Sequence, residues 1–164
     1  ADMCNVHAAG GRAMMEAAVE GMLRGMNARP GEAAPILIAV TQLTSTNRDV
    51  MNDEIGIPGP VEDTVVRYAM LARAAGLAGV VASPREVRAV KQACGAAFLT
   101  VTPGIRPAGA DEGDQARVMT PEDAFAQGTD YIVVGRPITA APSPREALES
   151  LVRTVEPSIR AQRS

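Results

Sequence analysis

Five short apolar runs punctuate the chain: MCNVH (3–7), PILIAV (35–40), LAGVVA (77–82), FLTVT (98–102) and YIVV (131–134). They are largely β-branched and continuous rather than alternating, which predicts strands buried on both faces. A Met- and Ala-rich segment from about Arg12 to Met26 and a second from about Val61 to Ala75 predict helices. Three further helix starts carry one local signal. SPRE (83–86), TPED (120–123) and SPRE (143–146) each place Ser or Thr at an N-cap, Pro at the first helical position and an acid at the third. Gly76, Gly95 and Gly128 stand where helices should end. The order is therefore βα repeated five times, without hairpin signals, and implies an α/β fold with a parallel sheet. Two closures fit this pattern: an open doubly wound sheet, or part of a (β/α)₈ barrel.

Composition narrows the function classes more than it narrows the fold. The aromatic share is 2%, so Ala, Val, Leu, Ile and Met must fill the core. Sixteen basic against nineteen acidic residues give a net charge of −3, which offers no basic surface for nucleic acid and no polybasic membrane patch. No apolar run approaches the roughly 20 residues that span a bilayer. The opening ADMCNVHAAGG has no basic stretch followed by an apolar core, so no secretory leader is expected. Cys4 and Cys94 are too few for a disulfide framework or a zinc site and read as buried reduced thiols. His7 has no second ligand at metal spacing. A cytoplasmic location is expected.

In parallel α/β folds chemistry collects at the C-terminal ends of the strands. After the second run comes TQLTSTNRD (41–49), rich in hydroxyls and amides. The fourth is followed by PGIRPAGADEGDQARVM (103–119), a shaped loop carrying Arg106, Gln115 and Arg117. The fifth is followed by GRPIT (135–139). There Gly135 lets a ligand approach a backbone N–H, and the Arg136 fork matches phosphate oxygens. Any one of these is also a turn with a solvated side chain, and Thr44 and Ser45 also read as loop hydroxyls bonded to nearby backbone. Together, in two successive loops of one sheet, they make a candidate phosphate site. In barrels that site commonly lies between the loops after strands 7 and 8.

The blocks NVHAAGG (5–11), LIAVTQLTS (37–45), GVVAS (79–83), VTPGIRP (101–107), GDQARVMTPEDA (113–124) and DYIVVGRPIT (130–139) resemble the orotidine 5′-phosphate decarboxylase family. Their order and spacing match that family from end to end of the chain. The resemblance implies a partial (β/α)₈ TIM barrel of about five parallel βα units, strands 4 to 8 of the family barrel, in one domain over residues 1–164. It also implies a homodimer and removal of CO₂ from orotidine 5′-monophosphate to give UMP, with no cofactor and no metal. Carried over residue by residue, Arg136 and the Gly135 N–H hold the 5′-phosphate and Gln115 bridges phosphate and pyrimidine. Arg106 lies at the phosphate end, and Thr44, with Ser45 beside it, addresses the base.

One departure is large. The family's chemistry rests on a Lys/Asp array centred on Asp-x-Lys-x-x-Asp, and that motif is absent from this sequence. The single lysine, Lys91, falls inside the helix after the first SPRE, away from any strand C-terminus. No catalytic residue is therefore assigned. The chain is expected to lack roughly the first three βα units of an eight-unit barrel and to be inactive alone. The alternatives are a non-catalytic module that binds nucleotide phosphate or completes a barrel with another polypeptide, and another phosphate-binding barrel enzyme.

Overall fold

The computed structural model describes residues 1–107 and 119–162. Strands β1 (Met3–His7), β2 (Ile36–Val40), β3 (Gly79–Val81), β4 (Leu99–Thr102) and β5 (Tyr131–Ile132) form one sheet in that order, and every neighbouring pair is parallel. Between and after them run α1 (Arg12–Asn27), α2 (Val61–Ala74), α3 (Val87–Cys94), α4 (Pro121–Ala126), α5 (Arg136–Thr139) and α6 (Pro144–Gln162). The strand order settles the closure. Right-handed crossovers between strands laid down in sequence put successive helices on the same face. A doubly wound sheet must instead reverse its strand order to gain helices on both faces. This sheet has no reversal, so it is a stretch of barrel wall.

Core composition agrees with one-sided helix cover. Residues Val6, Ala39 and Val80 share one register row, and all three pack in a cluster with Met15, Val65, Ala69, Ala72, Val90 and Cys94 of α1 to α3. A second cluster joins Ile132 and Val134 to Phe125, Leu151 and Val155 of α4 and α6. The alternate face carries His7, Val40, Val81, Val101 and Tyr131 in one row. One contact in that face is very close. A Cβ placed on Gly79 would lie 2.3 Å from the Leu99 carbonyl oxygen and 2.6 Å from its Cβ. Only glycine fits there.

Local signals fare unequally. Thr120 caps α4 as its sequence predicts, accepting the Asp123 N–H at 3.2 Å, and Gly76, Gly95 and Gly128 follow their helices with φ of 88°, 87° and 97°. The first SPRE does not start a helix at Pro84. Ser83 Oγ accepts the Arg85 N–H at 3.3 Å, the Glu86 N–H bonds Ser83 O, and α3 begins only at Val87 with buried Glu86 in the capping position. The fifth strand is also shorter than YIVV. Its neighbour β4 ends at Thr102, whose carbonyl accepts the Val133 N–H at 2.9 Å, and Gly104 with φ +76° then turns that strand away. Cys94 is buried as expected, but Cys4 is exposed, because β1 is an edge strand with one neighbour. Among the described residues no helix is long and apolar enough to cross a membrane.

Candidate functional site

Three strands deliver their C-terminal loops to one cleft of about 460 Å³, and a fourth, β3, adds its last residue. Gln42, Leu43, Thr44 and Ser45 come from the loop after β2, Pro103, Gly104 and Arg106 from the loop after β4, and Gly135 and Arg136 from the end of β5; Val40, Val81 and Val133 contribute apolar surface. A larger groove of about 710 Å³ lies over α2, lined by Val66, Tyr68, Met70 and Leu71 with Glu62, Asp63 and Arg67. It is away from every strand C-terminus, and the residues that carry chemistry are in the smaller cleft.

Backbone geometry explains how each group arrives. Thr41 is tied to β3 twice, its N–H and its hydroxyl both donating to Val81 O at 3.1 and 2.8 Å. That lock fixes the start of the wall that carries Thr44, which is itself 6% exposed. After β4, Gly104 takes φ +76°, and the chain turns out so that Ile105 can bridge Met119. The Arg106 N–H donates to Met119 O at 3.0 Å and the Met119 N–H to Gly104 O at 3.3 Å, which zips the neck of the loop. Arg106 is buried at 8% exposure, with Nη1 donating to Ile105 O at 2.9 Å.

GRPIT is not a plain loop: Arg136–Thr139 forms the one-turn helix α5, with Gly135 at its start. The Ile138 and Thr139 N–H groups both donate to Gly135 O. Gly135 is exposed, with nothing within 4 Å of where a Cβ would stand, so the backbone there is open to close approach beside the exposed Arg136. A strand end, a short helix and a cation after the last two strands form the arrangement that binds phosphate in many barrels.

The cleft is therefore polarised. Cationic donors gather at β4 and β5, while hydroxyl and amide groups stand at β2, two to three strand spacings or about 10–14 Å away. Apolar valines lie between them. Such a cleft suits an elongated ligand with an anion at one end and a flat hydrogen-bonding group at the other. Of the five residues expected to bind substrate, Thr44, Arg106, Gly135 and Arg136 line it together. Gln115 lies outside the described residues. Gln42, with 9% exposure, also lines the cleft and was not singled out from sequence. Its amide belongs to a loop whose other polar groups were equally eligible, and nothing local distinguishes it.

Lys91 is at the opposite end of the sheet. Its ammonium donates to Ala96 O (2.9 Å), Phe98 O (3.0 Å) and Asp130 Oδ2 (2.7 Å), groups that immediately precede β4 and β5. Asp130 Oδ2 also accepts the Thr100 N–H at 2.7 Å and the Thr100 hydroxyl at 3.0 Å. This cluster ties α3 to β4 and β5 at their N-terminal ends, where conserved function in barrels is stability rather than chemistry. Among the described residues, no group of three or more His, Cys, Asp and Glu could hold a metal ion.

The sequence pattern of the orotidine 5′-phosphate decarboxylase / HUMPS family matches residues 1–151. The chain belongs to that family. It is 55% identical over 155 residues to the orotidine 5′-phosphate decarboxylase of Moorella thermoacetica, covering 94% of this chain and 61% of that protein. To the Heliobacterium modesticaldum enzyme of the same name it is 53% identical over 150 residues, covering 92% and 61%. The solved orotidine 5′-phosphate decarboxylase of Lactobacillus acidophilus superposes with a TM-score of 0.76 at 40% identity, over 91% of this chain and 61% of that one. An uncharacterized conserved protein from Geobacillus kaustophilus gives 0.75 at 45%, over 93% and 63%. The chain thus spans about 61% of the length of these curated decarboxylase relatives, and its five parallel βα units are a partial (β/α)₈ barrel.

Proposed function

We propose that the cleft holds the 5′-phosphate and pyrimidine of orotidine 5′-monophosphate or UMP, as the binding portion of an orotidine 5′-phosphate decarboxylase site. The observation that carries this reading is the convergence of Thr44, Arg106, Gly135 and Arg136, from three separate loops, on one polarised cleft. Arg136 and the Gly135 N–H grip the phosphate, and Arg106 adds positive charge at that end. Gln115, from the loop whose neck is zipped beside Arg106, bridges phosphate and base. Thr44 addresses the pyrimidine edge.

Loss of CO₂ from C6 leaves a carbanion on a poorly delocalised ring. A site must stabilise that charge and deliver a proton. This sequence has no Asp-x-Lys-x-x-Asp, and its one lysine is engaged at the far end of the sheet. Binding at the phosphate accelerates nothing unless it is coupled to groups that act on the reacting carbon. The 164-residue chain by itself therefore binds nucleotide without turning it over; the decarboxylase whose binding portion it supplies works in the cytoplasm as a homodimer.

Calorimetry with UMP and uridine tests the reading. Arg136→Ala removes a charged donor to phosphate, so UMP affinity falls roughly ten- to a hundredfold while uridine affinity is unchanged. Equal loss for both ligands removes Arg136 from the phosphate site. Release of CO₂ from orotidine 5′-monophosphate at an enzymatic rate would refute the inactivity of the chain alone.

A further inference from the structure

Residues 41–60, between β2 and α2, carry one wall of the cleft, and the far half of this loop is closed by a single side chain. Asn52 Nδ2 donates to Arg48 O at 2.6 Å and to Gly59 O at 3.1 Å, while Asn52 Oδ1 accepts the Gly59 N–H at 2.6 Å. Both amide hydrogens and the carbonyl are thus spent within the loop. Asn52 sits in a single π-helical turn, Val50–Glu54. Such turns are rare and recur at functional sites.

The wide turn has visible supports. Asn47 Oδ1 accepts the Val50 N–H at 2.9 Å, the Met51 N–H donates to Asn47 O, and the Ile55 N–H to Val50 O. Met51 is driven fully inward, and the Ile57 N–H returns to Met51 O at 2.9 Å. Residues 47–59 therefore form a closed unit. The wall bearing Thr44 joins it directly, through the Thr46 N–H to Leu43 O bond and then Asn47. Asn52 itself does not line the cleft.

We propose that Asn52 is a positioning residue for base recognition: by clamping Arg48 to Gly59 it holds the 42–45 wall where Thr44 meets the pyrimidine. The proposal rests on the nucleotide-binding reading above. Without the amide, the Gly59 N–H and two carbonyls lose their partners and the loop regains conformational freedom. Binding must then supply the ordering that is now built in. The phosphate grip stands on the β4 and β5 loops and is untouched, so the loss should fall on one end of the ligand only.

The test is calorimetry on the 164-residue chain with UMP and ribose 5-phosphate, for wild type, Asn52→Ala and Asn52→Asp. Wild type prefers UMP. In Asn52→Ala, UMP affinity falls roughly tenfold and ribose 5-phosphate affinity holds. In Asn52→Asp at neutral pH a carboxylate faces two carbonyl oxygens, and the preference is again lost. As the pH is lowered and the acid protonates, one donor returns and the ratio of the two affinities recovers, a recovery that Asn52→Ala cannot show. Both ligands carry the same phosphate, so its own titration cancels from the ratio. Circular dichroism establishes that each variant is folded at the assay temperature; if Asn52→Ala is not, Asn52→Asp carries the test through its pH profile. A wild-type preference retained in Asn52→Ala, or both ligands lost equally, overturns the proposal. A wild-type chain that does not prefer UMP overturns the binding reading instead.

Discussion

Gly79 offers a test of the sheet that positions the cleft. It stands in β3 between β2 and β4, paired to Ile38 on one side and Leu99 on the other. Substitution by alanine sets a methyl carbon 2.3 Å from the Leu99 carbonyl oxygen, 2.6 Å from Leu99 Cβ and 2.8 Å from its carbonyl carbon. Two of those three atoms are backbone, so no rotamer relieves the contact. Relief needs β3 and β4 to separate by roughly 1 Å at the clash, against a strand spacing near 4.8 Å. The bonds at risk are the Leu99 N–H to Ala78 O and the Ala82 N–H to Val101 O. Overpacking in a core costs about 1–3 kcal/mol, and a clash with fixed backbone belongs at the upper end. At 2–4 °C per kcal/mol for a domain of this size, Gly79→Ala should lower Tm by about 6–12 °C. Gly25→Ala supplies the opposite sign. Gly25 lies inside α1 with nothing within 4 Å of an added Cβ, so the same methyl should stabilise by about 0.5–1 kcal/mol and raise Tm by a few degrees. Thermal melts followed at 222 nm compare the two. A Gly79→Ala protein melting within about 3 °C of wild type would show that the strands are not held at the stated distance and that the reasoning is wrong.

The Lys91–Asp130 cluster should contribute stability without touching ligand: Asp130→Ala, which removes the counter-ion of the Lys91 ammonium and the acceptor of the Thr100 N–H, should cost about 2 kcal/mol by urea titration. A double-mutant cycle with Lys91→Met should show clear coupling, and additive costs would mean that the two groups do not act as a pair. Burial raises the Cys94 thiol above its ordinary value of 9.0, with the Arg73 charge opposing. The fold therefore favours the neutral thiol: its contribution is intact below the unfolded thiol's pKa and is lost as pH rises through the folded value. Urea midpoints from pH 7 to 10.5 should fall more steeply for wild type than for Cys94→Ala above about pH 9, and parallel curves would dismiss the effect.

Much of this protein is legible along the chain because the signals are local. The apolar runs fall on β1 to β4 to within a few residues; the central strands β2 to β4 are covered on both faces, whereas edge strand β1 leaves Cys4, Asn5 and His7 exposed. Thr120 and the glycines after α2, α3 and α4 work through neighbours within one turn. Signals of the same kind mislead where a distant group competes. Ser83 and Glu86 match a capping box, yet Glu86 is drawn into the interior and α3 starts later. Val133 and Val134 continue an apolar run, yet the neighbouring strand turns away at Gly104 after its last bond, Val133 N–H to Thr102 O.

The candidate site divides in the same way. Thr44, Arg106, Gly135 and Arg136 were identifiable as residue types after strand ends, but their convergence is a property of strand order, which no local pattern encodes. Asn52 was hidden because its partners, Arg48 O and Gly59, are backbone groups whose approach depends on a π-helical turn. The sequence by itself determined five βα units and the chemistry at their ends. Periodicity left the open sheet and the barrel both possible; the family resemblance chose the partial barrel, and the unreversed strand pairing bears it out. The sequence already set Lys91 away from the strand C-termini, and tertiary structure supplied its partners there, Asp130 and the Ala96 and Phe98 carbonyls. Crossover handedness and long-range pairing act over tens of residues, whereas propensity and capping act over four.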